Sequence, residues 1–157
     1  MPEKFTAAFA RRLDTCCAVR VVEAEEGQRP TPGSVHIAPG NRHMVLRRQG
    51  SGYVLSIVDG VYVARHRPSV DVLFRSVAVA AGPAALGVIM TGMGDDGARG
   101  LLEMRTVGAE TIAQDEASSV VWGMPGEAMR IGGAQRAVAL DKLHLEIAKF
   151  SARMRSA

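Results

Sequence analysis

Residues Gly87 to Gly100 read Gly-Val-Ile-Met-Thr-Gly-Met-Gly-Asp-Asp-Gly-Ala-Arg-Gly and restrict the architecture more than any other part of the chain. An apolar run ends at Thr91, and Gly92, Gly94, Gly97 and Gly100 follow with the carboxylate pair Asp95-Asp96 among them. A helical pattern starts directly afterwards, at Ala98-Arg99-Gly100-Leu101-Leu102. Strand, tight loop and helix start is the geometry at which open α/β sheets place their chemistry. The plainer reading is a turn whose carboxylate caps a helix by accepting backbone N–H bonds.

The rest of the pattern agrees with an α/β class. In the second half, Ser69 can cap a helix to about Ala81 with Val70, Leu73, Phe74 and Val77 as its stripe. Ala85 to Thr91 reads as a buried strand, Leu101 to Val107 as helix and Glu110 to Ala113 as strand. Glu127 to Ile131 is a short helix and Ala137 to Leu140 a last strand, with Asp141 capping a closing helix through Met154. Alternating strands and helices imply parallel crossovers. The first half opens with an amphipathic helix from Met1 to Cys17, Pro2 in its first turn, and strands at Ala18–Glu23 and Ser34–Ala38. His43–Arg48 and Tyr53–Val58, joined through Gly50-Ser51-Gly52, form a hairpin. The expected fold is a three-layer, doubly wound, mostly parallel α/β domain with one hairpin, spanning residues 1–157.

Several function classes are excluded by composition. With 157 residues the chain makes one ordinary domain, and 47% hydrophobic against 22% charged residues is a globular balance. No apolar window reaches membrane-spanning length and no signal-peptide pattern opens the chain, so membrane insertion is not expected and the address is cytoplasmic. The net charge of +3 is mild, and the doublets Arg11-Arg12 and Arg47-Arg48 lack interleaved aromatics, so no nucleic-acid groove is expected. Cys16 and Cys17 are adjacent, a spacing that suits neither a bridge nor a metal site, so no metal or other cofactor is expected. Both read as buried small apolar residues.

Thr91 to Gly97 also resembles the T-G-M-G-x-D-G signature of CheB-type protein-glutamate methylesterases. Met1–Thr6, Ile37–Gly40, His66–Asp71, Thr111–Gln114 and Gly123–Pro125 resemble further blocks of that family, in the family's order. The resemblance implies hydrolysis of glutamate methyl esters on bacterial chemoreceptors, releasing methanol, and deamidation of glutamines there. It implies that Asp96 is the aspartate of a Ser-His-Asp triad, orienting and stabilising the imidazolium. Backbone N–H groups of the loop, Met93 above all, are candidate oxyanion donors, while Asp95 occupies the variable slot and faces solvent.

The sequence departs from the family in one respect. The family's nucleophile lies in a Gly/Ser-rich loop after the first strand, and its histidine directly precedes the block that opens this chain. Neither is present, and there is no G-x-S-x-G elbow. His36, His43, His66 and His144 do not match the triad position and read as structural or solvated, His66 least securely because it lies in a family block. The expectation is a methylesterase domain begun at an internal methionine or truncated, without its receiver domain and inactive alone. Two central strands of the sheet would be missing, leaving edges uncovered. Two alternatives stand beside it. One is a non-catalytic module that recognises receptor helices; the other is a phosphate cradle at a helix N-terminus, which lacks the P-loop Lys-Ser/Thr.

Overall fold

A computed structural model describes residues 3–156. Met1 and Pro2, which the sequence places in the first turn, lie outside the described residues. The elements in chain order are helix α1 (Glu3–Asp14) and strands β1 (Arg20–Glu23), β2 (Ser34–Ile37), β3 (His43–Gln49) and β4 (Gly52–Val58). Helix α2 (Val70–Ala81), strand β5 (Leu86–Ile89), helix α3 (Ala98–Thr106) and strand β6 (Glu110–Gln114) follow. Helix α4 (Met124–Arg130), strand β7 (Arg136–Val138) and helix α5 (Leu140–Ser156) complete the chain.

The α/β class and the parallel crossovers are as expected, but the parallel strands lie in two sheets rather than one. β1 pairs with β2, and β5–β6–β7 form a separate parallel sheet with β6 in the centre. Among the described residues no strand joins them. The hairpin forms where the sequence puts it, with Gln49 opposite Gly52 and Gly50-Ser51 as the turn. Gly50 supplies the positive φ of 61° that such a turn demands.

Helix α2 ties the halves together because its apolar stripe faces two cores. Phe74 and Val77 pack against Ile89, Leu101, Met104 and Ala113, whereas Leu73 packs against Ala24, Met44, Leu55 and Ile57. Ser69 caps this helix as the sequence predicts, its Oγ accepting from the Val72 N–H at 3.4 Å. Two other expectations fail. Asp141 lies inside the first turn of α5, and the Leu140 N–H is instead received by Ser118 Oγ at 3.0 Å. Cys16 and Cys17 are exposed rather than buried, because α1 ends at Asp14 and they sit on the turn beyond it. No helix is long and apolar enough to cross a membrane, among the described residues.

Candidate active site

The loop that follows β5 turns Asp96 inward, to 3% exposure, against the first turn of α2. Its Oδ1 accepts the Ser69 hydroxyl at 2.7 Å and the Asp71 N–H at 3.1 Å, and its Oδ2 accepts the Val70 N–H at 2.8 Å. The first N–H groups of a helix have no partner within it and carry the positive end of its dipole, so a carboxylate there is stabilised twice over. Asp71 returns the arrangement: its Oδ1 accepts the Gly100 N–H of the first turn of α3 at 2.7 Å. Asp96, just before α3, therefore caps α2, and Asp71, in the first turn of α2, holds the first turn of α3. This exchange demands close approach. A Cβ on Gly100 would stand 2.8 Å from Phe74 Cβ, and one on Gly97, at φ 94°, would stand 2.6 Å from Val70 Cγ1.

Each carboxylate oxygen can accept two hydrogen bonds. Among the described residues, Oδ1 of Asp96 is filled, whereas Oδ2 has one donor and one open position. The nearest imidazole nitrogen, His66 Nδ1, lies 3.8 Å from Oδ2, too far for a hydrogen bond, on a side chain 50% exposed.

Beside this carboxylate opens a pocket of about 480 Å³ lined by Ala64, Arg65, His66, Met93, Gly94 and Asp95. One wall is backbone held in an unusual shape, since Ala64 and Arg65 have φ of 47° and 66°. Left-handed backbone at non-glycine residues is disfavoured by about 1 kcal/mol each, and such segments gather at functional sites. The other wall is held rigid by the β6–α4 connection. Gly92 donates to Val121 O at 3.0 Å and accepts from Met124 N at 2.8 Å, while Thr91 N–H donates to Gln114 Oε1 at 2.9 Å. The Gln114 amide, fully buried, also donates to Ser118 O at 2.7 Å. Met93 stands on this braced loop with its side chain 82% exposed, and its N–H has no acceptor among the described residues. Asp95 is exposed, as expected from its slot.

The remaining histidines do not reach Asp96. His43 is buried, with Nε2 2.9 Å from Val61 O and Nδ1 accepting the Ser69 N–H at 3.2 Å, so both ring nitrogens hold the turn that presents Ser69. His36 lies on β2 between Ser34 Oγ at 3.0 Å and Gln28 Oε1 at 3.2 Å, and burial, with Arg20 nearby, pushes its pKa down. Ser34 and His36 are not a nucleophile and base, because the Ser34 hydroxyl donates to Thr31 O at 2.6 Å. His144 is exposed on α5. Ser69 is spent as cap and as donor to Asp96, and among the described residues its hydroxyl makes no hydrogen bond to an imidazole. The loop's resemblance to the T-G-M-G-x-D-G signature singled out Asp96 and Met93 as candidates, and the structure buries Asp96 beside the pocket and puts Met93 in its wall. Sequence reasoning missed Asp71, although Ser69-Val70-Asp71 at a helix start is the kind of polar cluster that binds backbone donors.

A family model described as CheB methylesterase matches residues 1–147. The chain is 63% identical over 147 residues to protein-glutamate methylesterase/protein-glutamine glutaminase 2 of Rhodospirillum rubrum, covering 94% of this chain and 40% of that one. It is 62% identical over 151 residues to protein-glutamate methylesterase/protein-glutamine glutaminase 3 of Shewanella oneidensis, covering 96% and 42%. The chain thus spans about 40% of the length of these curated relatives. In structure it matches the Thermotoga maritima CheB methylesterase catalytic domain with a TM-score of 0.91 at 33% identity, over 95% of this chain and 79% of that one. The glycine loop, the buried Asp96 and the match along nearly the whole sequence agree: this chain belongs to the CheB methylesterase family.

Proposed function

We propose that residues 1–157 are catalytic-domain sequence of a protein-glutamate methylesterase and glutamine deamidase that acts in the cytoplasm on methylated chemoreceptor helices. Asp96 is its triad carboxylate and Met93 N–H its oxyanion donor. The observation that carries this reading is the single open acceptor position on Asp96 Oδ2, next to a pocket whose other wall presents the unpartnered Met93 N–H. An imidazole seated there donates Nδ1–H to Oδ2, which leaves Nε2 free to take the proton of a serine hydroxyl. The serine oxygen adds to the ester carbonyl, and the charge that develops on the carbonyl oxygen is received by Met93 N–H. Methanol leaves with the proton from Nε2, and water, activated by the same imidazole, releases the glutamate carboxylate. With a glutamine substrate the leaving group is ammonia.

The serine and the histidine are not supplied by any described residue near Asp96. They therefore belong to polypeptide outside these 157 residues, as does the receiver domain, in keeping with relatives more than twice as long. The isolated chain is expected to release no methanol from methylated receptor. A fusion of the chain behind the corresponding upstream portion of the Rhodospirillum rubrum relative is expected to release it. An inactive but folded fusion would defeat the reading; an active isolated chain would make His66 the first base to mutate.

A further inference from the structure

Away from the Asp96 pocket, a trough of about 570 Å³ runs between α2 and the β3 edge of the hairpin, lined in part by Val45, Arg47, Arg48, Arg75 and Val79. It joins, through Val79, a second depression of about 350 Å³ between α2 and α3 that includes Leu102 and Val107. Val79 is 90% exposed in the last turn of α2 and Val107 is 45% exposed, so an apolar strip continues across both. Three guanidinium groups and no carboxylate line the larger trough, while one carboxylate, Glu103, lines the smaller depression. Each guanidinium is already aimed. Arg47 Nε donates to Ser56 Oγ at 3.2 Å, Arg48 donates to Ala80 O at 3.4 Å and lies 5.7 Å from the Tyr53 ring centre, and Arg75 pairs with Glu103 at 2.8 Å. A guanidinium has five N–H donors, so every one retains N–H groups for a further acceptor.

From this pattern we infer that the trough is a docking site for an amphipathic helix carrying carboxylates beside its apolar stripe. Charge complementarity selects the partner: apolar side chains settle on Val79 and Val107 while glutamates meet Arg47, Arg48 and Arg75. The inference rests on the proposed function, in that the partner is the glutamate-bearing protein substrate. Val70, which holds Asp96, and Val79 lie nine residues apart on α2, about 14 Å at the rise of an α-helix. A substrate helix of a few turns therefore reaches from the trough toward the reacting residue, and each hydrolysed ester adds a carboxylate that the arginines attract.

The test measures fluorescence anisotropy of a labelled helical peptide with a leucine stripe flanked by glutamates, titrated with the full 157-residue chain. Binding that weakens as salt rises, falls at least tenfold in R47E/R48E, falls similarly in V79D, and is absent for the same peptide with lysines is the expected result. The substituted residues are exposed, and an unchanged thermal transition verifies that the variants fold. Equal binding by R47E/R48E, equal binding of the lysine peptide, or a dimer of the chain that V79D dissolves would overturn the inference. Because the readout needs no turnover, it stands apart from failure of the methylesterase reading. In the active fusion, R47E/R48E is expected to raise KM for receptor protein, leaving kcat and hydrolysis of a small glutamyl methyl ester unchanged.

Discussion

Asp96→Asn changes one atom in a position where three donors converge, and its effect on stability can be worked from the geometry. The asparagine oxygen can replace Oδ1, accepting from Ser69 Oγ and Asp71 N–H, but its amide nitrogen then faces the Val70 N–H that Oδ2 receives at 2.8 Å. Rotating the amide exchanges one misfit for two. Hydrogen bonds to a charged acceptor contribute about 1.5–3 kcal/mol, and the loss of a helix cap about 1 kcal/mol. Since one bond is lost outright and two are weakened in a buried site, the expected destabilisation is about 2 kcal/mol. In a protein of this size that lowers Tm by roughly 4–8 °C. Trp122, the only tryptophan, bonds through its indole N–H to Gln114 O at 3.2 Å and reports unfolding close to the site. Urea titration of wild type and D96N by tryptophan fluorescence is the assay. D96N as stable as wild type would refute the claim that the carboxylate fastens the start of α2.

Other perturbations probe different parts of the molecule. Thr111 is fully buried on the central strand and its hydroxyl has no partner among the described residues, so T111V is expected to raise stability by about 1 kcal/mol, read by the same titration. Lys149 and then Arg136 hold the Glu146 carboxyl below its ordinary range. A depressed folded-state pKa stabilises above the unfolded value, about 4.3, and that stabilisation disappears as pH falls through the folded value. Stability measured from pH 6 toward 3 should therefore decline less steeply in E146Q than in wild type. Asp115, held down by Ser118, and Glu127, held down by Arg130, act in the same direction. Both cysteines should react with iodoacetamide in the native chain, and Cys17, whose pKa is pushed up by partial desolvation of its thiol and by neighbouring Cys16, should do so only at more alkaline pH; protection of both would contradict their exposure.

Local signals made most elements readable. Ser69 at a cap position, the stripe of α2 and the Gly50-Ser51 turn are decided within a few residues, and they stand where the sequence puts them. The sharp loop around Asp96 was legible for the same reason, since glycines at 94 and 97 announce a bend after a strand, whereas the role expected of Asp96 came from the loop's resemblance to the family signature. What the carboxylate touches was not legible. Its donors lie more than twenty residues away, at Ser69, Val70 and Asp71, and only the packing of α2 against α3 brings them together. The same limit applies to the exchange between Asp71 and Gly100 and to the division of the parallel strands into two sheets. Cys16 and Cys17 were misplaced because burial was inferred from residue type, whereas the end of α1 at Asp14 decides it. Asp141 illustrates a related error: a local cap was assumed where Ser118, from a distant loop, receives the N–H of Leu140.

The assignment of Asp96 as triad carboxylate is tested most directly by methanol release from methylated receptor in the active fusion, comparing D96N with D95N at a temperature where both are folded. Asp96 is buried and its Oδ2 has the open acceptor position, whereas Asp95 is exposed at the pocket rim. D96N is expected to lower kcat by about 10⁴, as loss of the orienting carboxylate does in the serine protease triad, with D95N within a few-fold of the parent. Retention of parental turnover by D96N would contradict the account.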